Sequence, residues 1–136
     1  MAEAPEDYAV SQETLGHVAR ILGTLRRLPG VEGVGLARRD GIMVAQVLPP
    51  SVDARRVASI SAGLAGTSEM AAEEVGRHEA SHTIVATAEG DLVVRKVGDD
   101  HALVVILRGE ANLGLVLLHI GRASEEMRLI LEGSKA

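Results

Sequence analysis

Histidines are the first candidates for metal binding or catalysis in this sequence. His78 and His82 stand four residues apart with Glu79 beside them, and on one continuous helix that spacing suits a metal ion. Ala80 and Ser81 are expected to end the helix between the two imidazoles. We therefore interpret these histidines as surface residues at a junction between a helix and a strand, and we predict no metal site.

Motifs for nucleophilic catalysis or nucleotide binding are also missing. No serine lies in a sharp strand-to-helix turn, so His101, expected in a turn, and His119, expected in a helix, have no nucleophile to activate. The phosphate-binding motif G-x-x-x-x-G-K-[ST] is absent, and Gly33 and Gly35 precede a strand where a dinucleotide motif requires a helix. The sequence thus predicts a protein that is not an enzyme, with no catalytic residue and no cofactor.

Two neighbouring arginines are the remaining candidates for a functional site. Arg55 and Arg56 are expected to open the second helix, where the helix dipole disfavours positive charge. This placement favours a role in binding acidic side chains or phosphate on a partner, with Ser59 one turn further along. The alternative is that both arginines are merely solvated. We predict Arg55, Arg56 and Ser59 as partner-binding residues.

Composition excludes several other classes of protein. The chain has 136 residues, a net charge of −5 and no cysteine, which argues against nucleic-acid binding and rules out disulfides and thiolate metal sites. The beginning of the chain is acidic and lacks an apolar run, unlike a secretory signal. The apolar stretches around residues 102–107 and 113–118 are too short to span a bilayer. We expect a cytoplasmic protein that does not insert into membranes.

Hydrophobic periodicity and turn residues divide the chain into elements. Residues 1–10 are predicted to be a disordered acidic tail, and residues 11–136 a single domain. Strands are predicted at residues 31–38, 42–48, 82–88, 92–97 and 102–107, and helices from Ser11 to Leu28, from Asp53 or Ser51 to about Arg77, and from Asn112 to near Gly133. The order is therefore α-β-β-α-β-β-β-α.

The last predicted strand determines how the layers stack. Residues 102–107 show no polar alternation, so this strand should be central and covered on both faces. The short turns make the sheet mostly antiparallel. We predict an α/β (α+β) fold, a single five-stranded sheet with helices on both faces.

The second helix carries two stripes of side chains. The predicted core stripe comprises Val57, Ile60, Leu64, Ala71 and Val75, and the opposite stripe comprises Ser59, Gly63, Gly66 and Met70. Small residues allow two helices to approach closely, so we interpret the second stripe as a helix–helix contact across a dimer axis. The alternative is that these small residues let the helix lie flat on its own sheet.

The strand at residues 82–88 is expected at an edge of the sheet. It contains Thr83, Val85 and Thr87 and little charge, and an unguarded edge of this kind pairs readily with a second chain. We therefore predict these three residues at a dimer interface. The alternative is that a loop or the N-terminal tail covers the edge.

Three stretches, taken in order, resemble a known family. They are the hairpin at residues 29–41, the helix sequence V-A-S-I-S-A-G-L-A-G-T-S from Val57, and N-L-G-L-V-L-L-H-I-G-R-A-S from Asn112. Together they are similar to the Roadblock/LC7 family, in particular its prokaryotic, MglB-like members, over roughly residues 14–132. The fold that the resemblance implies is profilin/roadblock-like.

The resemblance also implies an assembly and a function. Members of the family pair through the edge strand that follows the second helix, here residues 81–88, and their second helices lie side by side. The combined surface commonly receives a small Ras-like GTPase, whose hydrolysis some members accelerate and others only scaffold. Here the resemblance leaves open a homodimer or a heterodimer with a paralogue, and regulation or scaffolding.

A small-molecule sensor of the PAS or GAF type is the alternative function. Such domains also combine a sheet with helices, but their pockets usually hold aromatic or polar anchors. A core without Phe or Trp argues against this interpretation.

Overall fold

The computed structural model of the chain describes residues 10–133. Its elements are α1 (Gln12–Arg26), β1 (Val31–Arg38), β2 (Met43–Val47), α2 (Ala54–Glu74), β3 (Thr83–Thr87), β4 (Gly90–Val97), β5 (His101–Leu107) and α3 (Leu113–Gly133). The predicted order of helices and strands is confirmed. The predicted acidic tail at residues 1–10 lies outside the described residues except for Val10, which is half-buried and packs against the core.

Side-chain caps explain where the helices begin. The hydroxyl of Ser11 accepts a hydrogen bond from the backbone N–H of Thr14 at 3.1 Å, and the carboxylate of Asp53 accepts from the first turn of α2. The side-chain oxygen of Asn112 accepts from the N–H of Leu115 at 3.1 Å. These bonds satisfy backbone donors that have no partner within the helix, so each start follows from the sequence.

The sheet has the order β2-β1-β5-β4-β3, and every neighbouring pair is antiparallel. The central strand β5 is buried along almost its whole length, as its unbroken apolar run predicts. His101 is the first residue of β5 and is only 8% exposed, so the expectation that it lies in a turn is wrong. The edges of the sheet are β2 and β3.

Side chains on the two faces of the sheet form cores of different size. Under α1 and α3, the larger core includes Leu22, Leu36, Leu103, Ile120 and Met127. Under α2, the smaller core comprises Val94, Ala102 and Val104, with Val57, Leu64 and Ala65 packed against it. Because successive residues of a strand face opposite sides, β5 contributes to both cores. Helix α2 is therefore held by much less apolar contact than the other two helices.

The predicted core stripe of α2 is wrong in part. Ile60 is 56% exposed, Val75 is 66% exposed and Ala71 is also exposed, whereas the fully buried positions of the helix are Ala58 and Ser61. The helix is rotated so that the small side chains of Ala58 and Ser61 face the sheet, which allows a close approach. Val57 and Leu64 still pack against the smaller core, whereas Ile60 and Val75 project into solvent.

Helix α2 also ends before the predicted boundary at Arg77. Gly76 has a φ of +74°, and the N–H of Arg77 bonds to the carbonyl of Ala72 at 2.8 Å. This left-handed glycine with a bond closing back over the last turn is a common way to end a helix.

Within residues 10–133, no helix is long and apolar enough to cross a membrane.

Candidate interaction surface

The outer face of α2 carries the predicted stripe of small residues. Ser59, Gly63, Gly66 and Met70 are all exposed, Met70 to 69%. A Cβ atom added at Gly63 or Gly66 would meet no other atom within 4 Å. These glycines therefore serve no packing need within the chain, and the alternative that they let α2 lie flat on its own sheet is wrong. Ala58 and Ser61 do that instead.

The turn of the β1–β2 hairpin lies against the first half of α2. Gly41 has a φ of +86°, and a Cβ atom there would lie 3.3 Å from the Cα of Ser59, so any other residue would be strained by its backbone conformation and by this close contact. Beside it, the Nε of Arg38 donates to Oδ1 of Asp40 at 3.0 Å. The hydrogen bonds from Arg38 lower the pKa of Asp40 below its ordinary value, because they favour the charged carboxylate.

An open hollow of about 620 Å³ lies between this turn and the start of α2. The hollow is lined by Gly41, Ile42, Met43, Asp53, Arg55, Arg56 and Ser59. The structure thus brings the three predicted partner-binding residues together. Sequence reasoning missed the contribution of Ile42, which is 52% exposed, although the Asp-Gly turn beside it was a usable signal.

Both arginines at the start of α2 project into solvent. The side chain of Arg56 is 85% exposed, and its Nε lies 3.9 Å from Oδ2 of Asp53. Asp53 also accepts the backbone N–H groups of Arg55 and Arg56, which offsets part of the unfavourable helix dipole. The guanidinium groups therefore remain available to an acidic group on another molecule.

Strand β3 forms one edge of the sheet and is exposed on most of its length. The hydroxyl of Thr83 forms a hydrogen bond with that of Ser68 on α2, and the hydroxyl of Thr87 donates to the carbonyl of Gly90. Because side chains alternate along a strand, Thr83, Val85 and Thr87 share the sheet face that α2 covers. The two threonines are thus fixed by their own chain, while Val85 is 37% exposed.

The stripe, the hollow and the edge strand form one continuous surface. The stripe extends about 17 Å along α2 from Ser59 to Met70, at 1.5 Å per residue. Its first residue lines the hollow, and the Ser68–Thr83 bond joins the far half of α2 to β3. No cluster of three or more metal-ligating side chains occurs in the described part of the chain.

Comparisons with known proteins match this architecture. The model of the Roadblock/LC7 domain family matches residues 18–107. An uncharacterised protein of Methanocaldococcus jannaschii is 30% identical over 111 residues, which cover 82% of this chain and 96% of that protein. The structure of Myxococcus xanthus MglB has a TM-score of 0.84 and 25% identity, covering 92% of this chain and 95% of its own.

A second solved structure shows the same fold. The gliding protein MglB from Thermus thermophilus has a TM-score of 0.81 and 23% identity, and the match covers 92% of this chain and 96% of that one. Both structural matches extend over almost all the residues that the fold occupies.

Proposed function

This chain belongs to the Roadblock/LC7 family, and on that premise we propose that it is a dimeric interaction module that binds a small Ras-like GTPase in the cytoplasm. It regulates or scaffolds the GTPase, and any group that catalyses nucleotide hydrolysis belongs to the GTPase. The single observation that carries this proposal is the continuous exposed surface of α2, β3 and the hairpin turn.

Dimerisation accounts for the outer face of α2 and for the edge of the sheet. A second copy that adds its β3 to this β3 would satisfy the backbone groups of both edges and extend the sheet. The two α2 helices would then lie side by side on the same face. Gly63 and Gly66 permit their close approach, and Met70 would lose contact with water.

Binding of the GTPase accounts for the arginines and the hollow. Arg55 and Arg56 present two positive charges at the rim of a depression that also holds the exposed apolar side chain of Ile42. An acidic or phosphate-bearing partner surface complements this combination of charge and apolar area. Contact with the switch loops of a GTPase would favour one of their conformations over the other.

The sensor alternative is not supported, because the matched family is a different one and the surface is open. The hollow at α2 is a depression between a turn and a helix, whereas small-molecule sites usually enclose most of their ligand. Neither core contains Phe or Trp in the described residues. An aromatic anchor for a ligand is therefore missing there.

The experiment that tests the proposal is capture of partners from native lysate on the tagged protein. Capture is run once with GDP and once with a non-hydrolysable GTP analogue, and retained proteins are identified by mass spectrometry. We expect a small GTPase enriched in one nucleotide state. Arg55→Glu/Arg56→Glu should lose it, while the matched control Arg20→Glu/Arg27→Glu, altered at exposed residues of the α1 region, should keep it.

Two results would contradict the proposal. One is that no GTPase is retained in either nucleotide state. The other is that capture of the GTPase survives reversal of charge at Arg55 and Arg56 but is lost in the α1 control.

A further inference from the structure

Helix α3 presents a second stripe, three leucines with an arginine and a glutamate between them, that lies outside the core formed by the described residues. Leu115, Leu118, Arg122, Glu125 and Leu129 recur at alternate spacings of three and four residues, which is the seam pattern of a coiled coil. Its leucines are exposed to 45%, 52% and 59% in chain order. We call these five residues the α3 seam. It lies on the side of the sheet opposite α2.

The packing of α3 within the chain depends on a different stripe. Val116, Ile120, Ala123, Met127 and Leu131 are buried in the larger core, and they leave the seam facing outwards. Beside the seam lies an open depression of about 680 Å³ whose lining includes Leu118, Gly121 and Leu129. A Cβ atom added at Gly121 would meet nothing within 4 Å, so a second helix has room to approach.

The charges in the seam indicate what covers it. In a parallel pair of identical helices, Arg122 would face Arg122 and Glu125 would face Glu125, which is repulsive. An antiparallel pair with its two-fold axis between Ala123 and Ser124 instead places Arg122 opposite Glu125 of the second copy. The same register places Leu118 opposite Leu129. Each of these contacts occurs twice, because such an interface is isologous.

We propose that the α3 seam is a self-association surface whose occupant is the α3 helix of a second copy of this chain, antiparallel in this register. The side chain of Glu125 is held in place by Arg128, whose Nε donates to it at 3.0 Å. Arg122 makes no ion pair within residues 10–133. The pairing therefore lets this arginine share the Glu125 carboxylate with Arg128.

This contact is independent of the dimer through α2 and β3. The two surfaces lie on opposite faces of the sheet, so one chain can use both at once. Two isologous contacts per chain produce assemblies larger than a dimer, either closed tetramers or open arrays. Loss of one contact should leave the other intact.

Disulfide crosslinking tests the register directly, because the natural sequence contains no cysteine. Under mild oxidation we expect Leu118→Cys/Leu129→Cys to form a covalent dimer, and a mixture of the two single variants to do the same. Each single variant alone should remain monomeric on a denaturing gel. Residues 118 and 129 are about 17 Å apart along one helix, too far for a bond within one chain.

Charge reversal provides a second test that does not depend on cysteine. Arg122→Glu should weaken this association about tenfold, since two attractive pairs become repulsive. The triple variant Arg122→Glu/Glu125→Arg/Arg128→Glu, which keeps opposite charges at positions 125 and 128, should restore it, as measured by sedimentation velocity across a dilution series. Self-crosslinking of Leu118→Cys alone, absence of crosslinking in the double cysteine variant, or failure of the charge swap to restore association would each overturn the proposal.

Discussion

Substitution of Gly63 should change the stability of the fold and the stability of the dimer in opposite directions. The residue lies inside α2, it is exposed, and an added Cβ atom would have no neighbour within 4 Å. Glycine in a helix interior costs about 1 kcal/mol relative to residues with a side chain. Gly63→Leu should therefore raise the free energy of unfolding of the monomer by somewhat less than about 1 kcal/mol.

The same leucine would lie where a second α2 is proposed to pack. Overfilling a close contact costs about 1–3 kcal/mol, which raises the dissociation constant of the dimer about fivefold to 150-fold. A stabilising substitution that weakens assembly is the signature of a glycine kept for contact between chains. If the leucine instead packed only within its own chain, the stability of the monomer would rise and the dimer would not be weakened.

Two measurements separate these effects. Sedimentation equilibrium gives the dissociation constant, and denaturant unfolding at concentrations well below that constant gives the stability of the monomer. Gly16→Leu is the matched control, because Gly16 also lies exposed in a helix with open space around it but far from the proposed interface. An unchanged dissociation constant for Gly63→Leu, or an equal weakening in the control, would show that Gly63 does not lie at a contact between chains.

Three further predictions concern neighbouring features. Met70→Ala should reduce the free energy of dimerisation by about 1 kcal/mol for each copy, which weakens the dimer about thirtyfold. The free energy of unfolding of the monomer should change by less than about 0.5 kcal/mol. Analytical ultracentrifugation measures the first quantity and denaturant titration the second. Val85→Lys places a charge on the β3 edge and should leave the protein folded but abolish association through α2 and β3, so that light scattering gives a smaller mass than for the unaltered protein. Asp40→Asn should lower stability by less than about 1 kcal/mol at neutral pH. Because Arg38 lowers the pKa of Asp40 from 3.8, this difference should vanish as the pH falls through the lowered pKa, and unfolding curves at neutral and strongly acidic pH would show it.

Local signals in the sequence predict the elements and their order well. Ser11, Asp53 and Asn112 are side chains that cap helices, and the unbroken apolar run of β5 identifies it as the central strand. These features act over a few residues, so both partners of each contact lie within one short stretch of sequence. A predicted boundary is wrong where the backbone conformation of a single residue ends the helix, as at Gly76 after α2.

The rotation of α2 could not be predicted in the same way. Ile60 and Val75 look like core residues by type and spacing, yet both are exposed. The helix instead turns Ala58 and Ser61 towards the sheet, where the core side chains are Val94, Ala102 and Val104. This preference depends on the opposing strands, which the helix sequence alone does not reveal.

The same limit applies to the hollow and to the α3 seam. The sequence predicts a partner-binding role for Arg55, Arg56 and Ser59 from their positions in the second helix alone. The contact between Gly41 and Ser59 joins segments that are distant in sequence, so the hollow itself is not predicted. In α3, apolar residues occur on two stripes, and only the packing of α1 against one of them shows that the seam remains outside.

If a dimer of this chain binds a small GTPase as proposed, the mass of the complex should account for the GTPase and at least two copies of this chain. The captured GTPase is purified, loaded with GDP or with the non-hydrolysable analogue, and mixed with this protein for light scattering after size exclusion. We expect a complex that contains at least two copies of this chain in one nucleotide state, that is weakened by Gly63→Leu and that is lost with Arg55→Glu/Arg56→Glu. A complex containing a single copy, or equal binding in both nucleotide states, would contradict it.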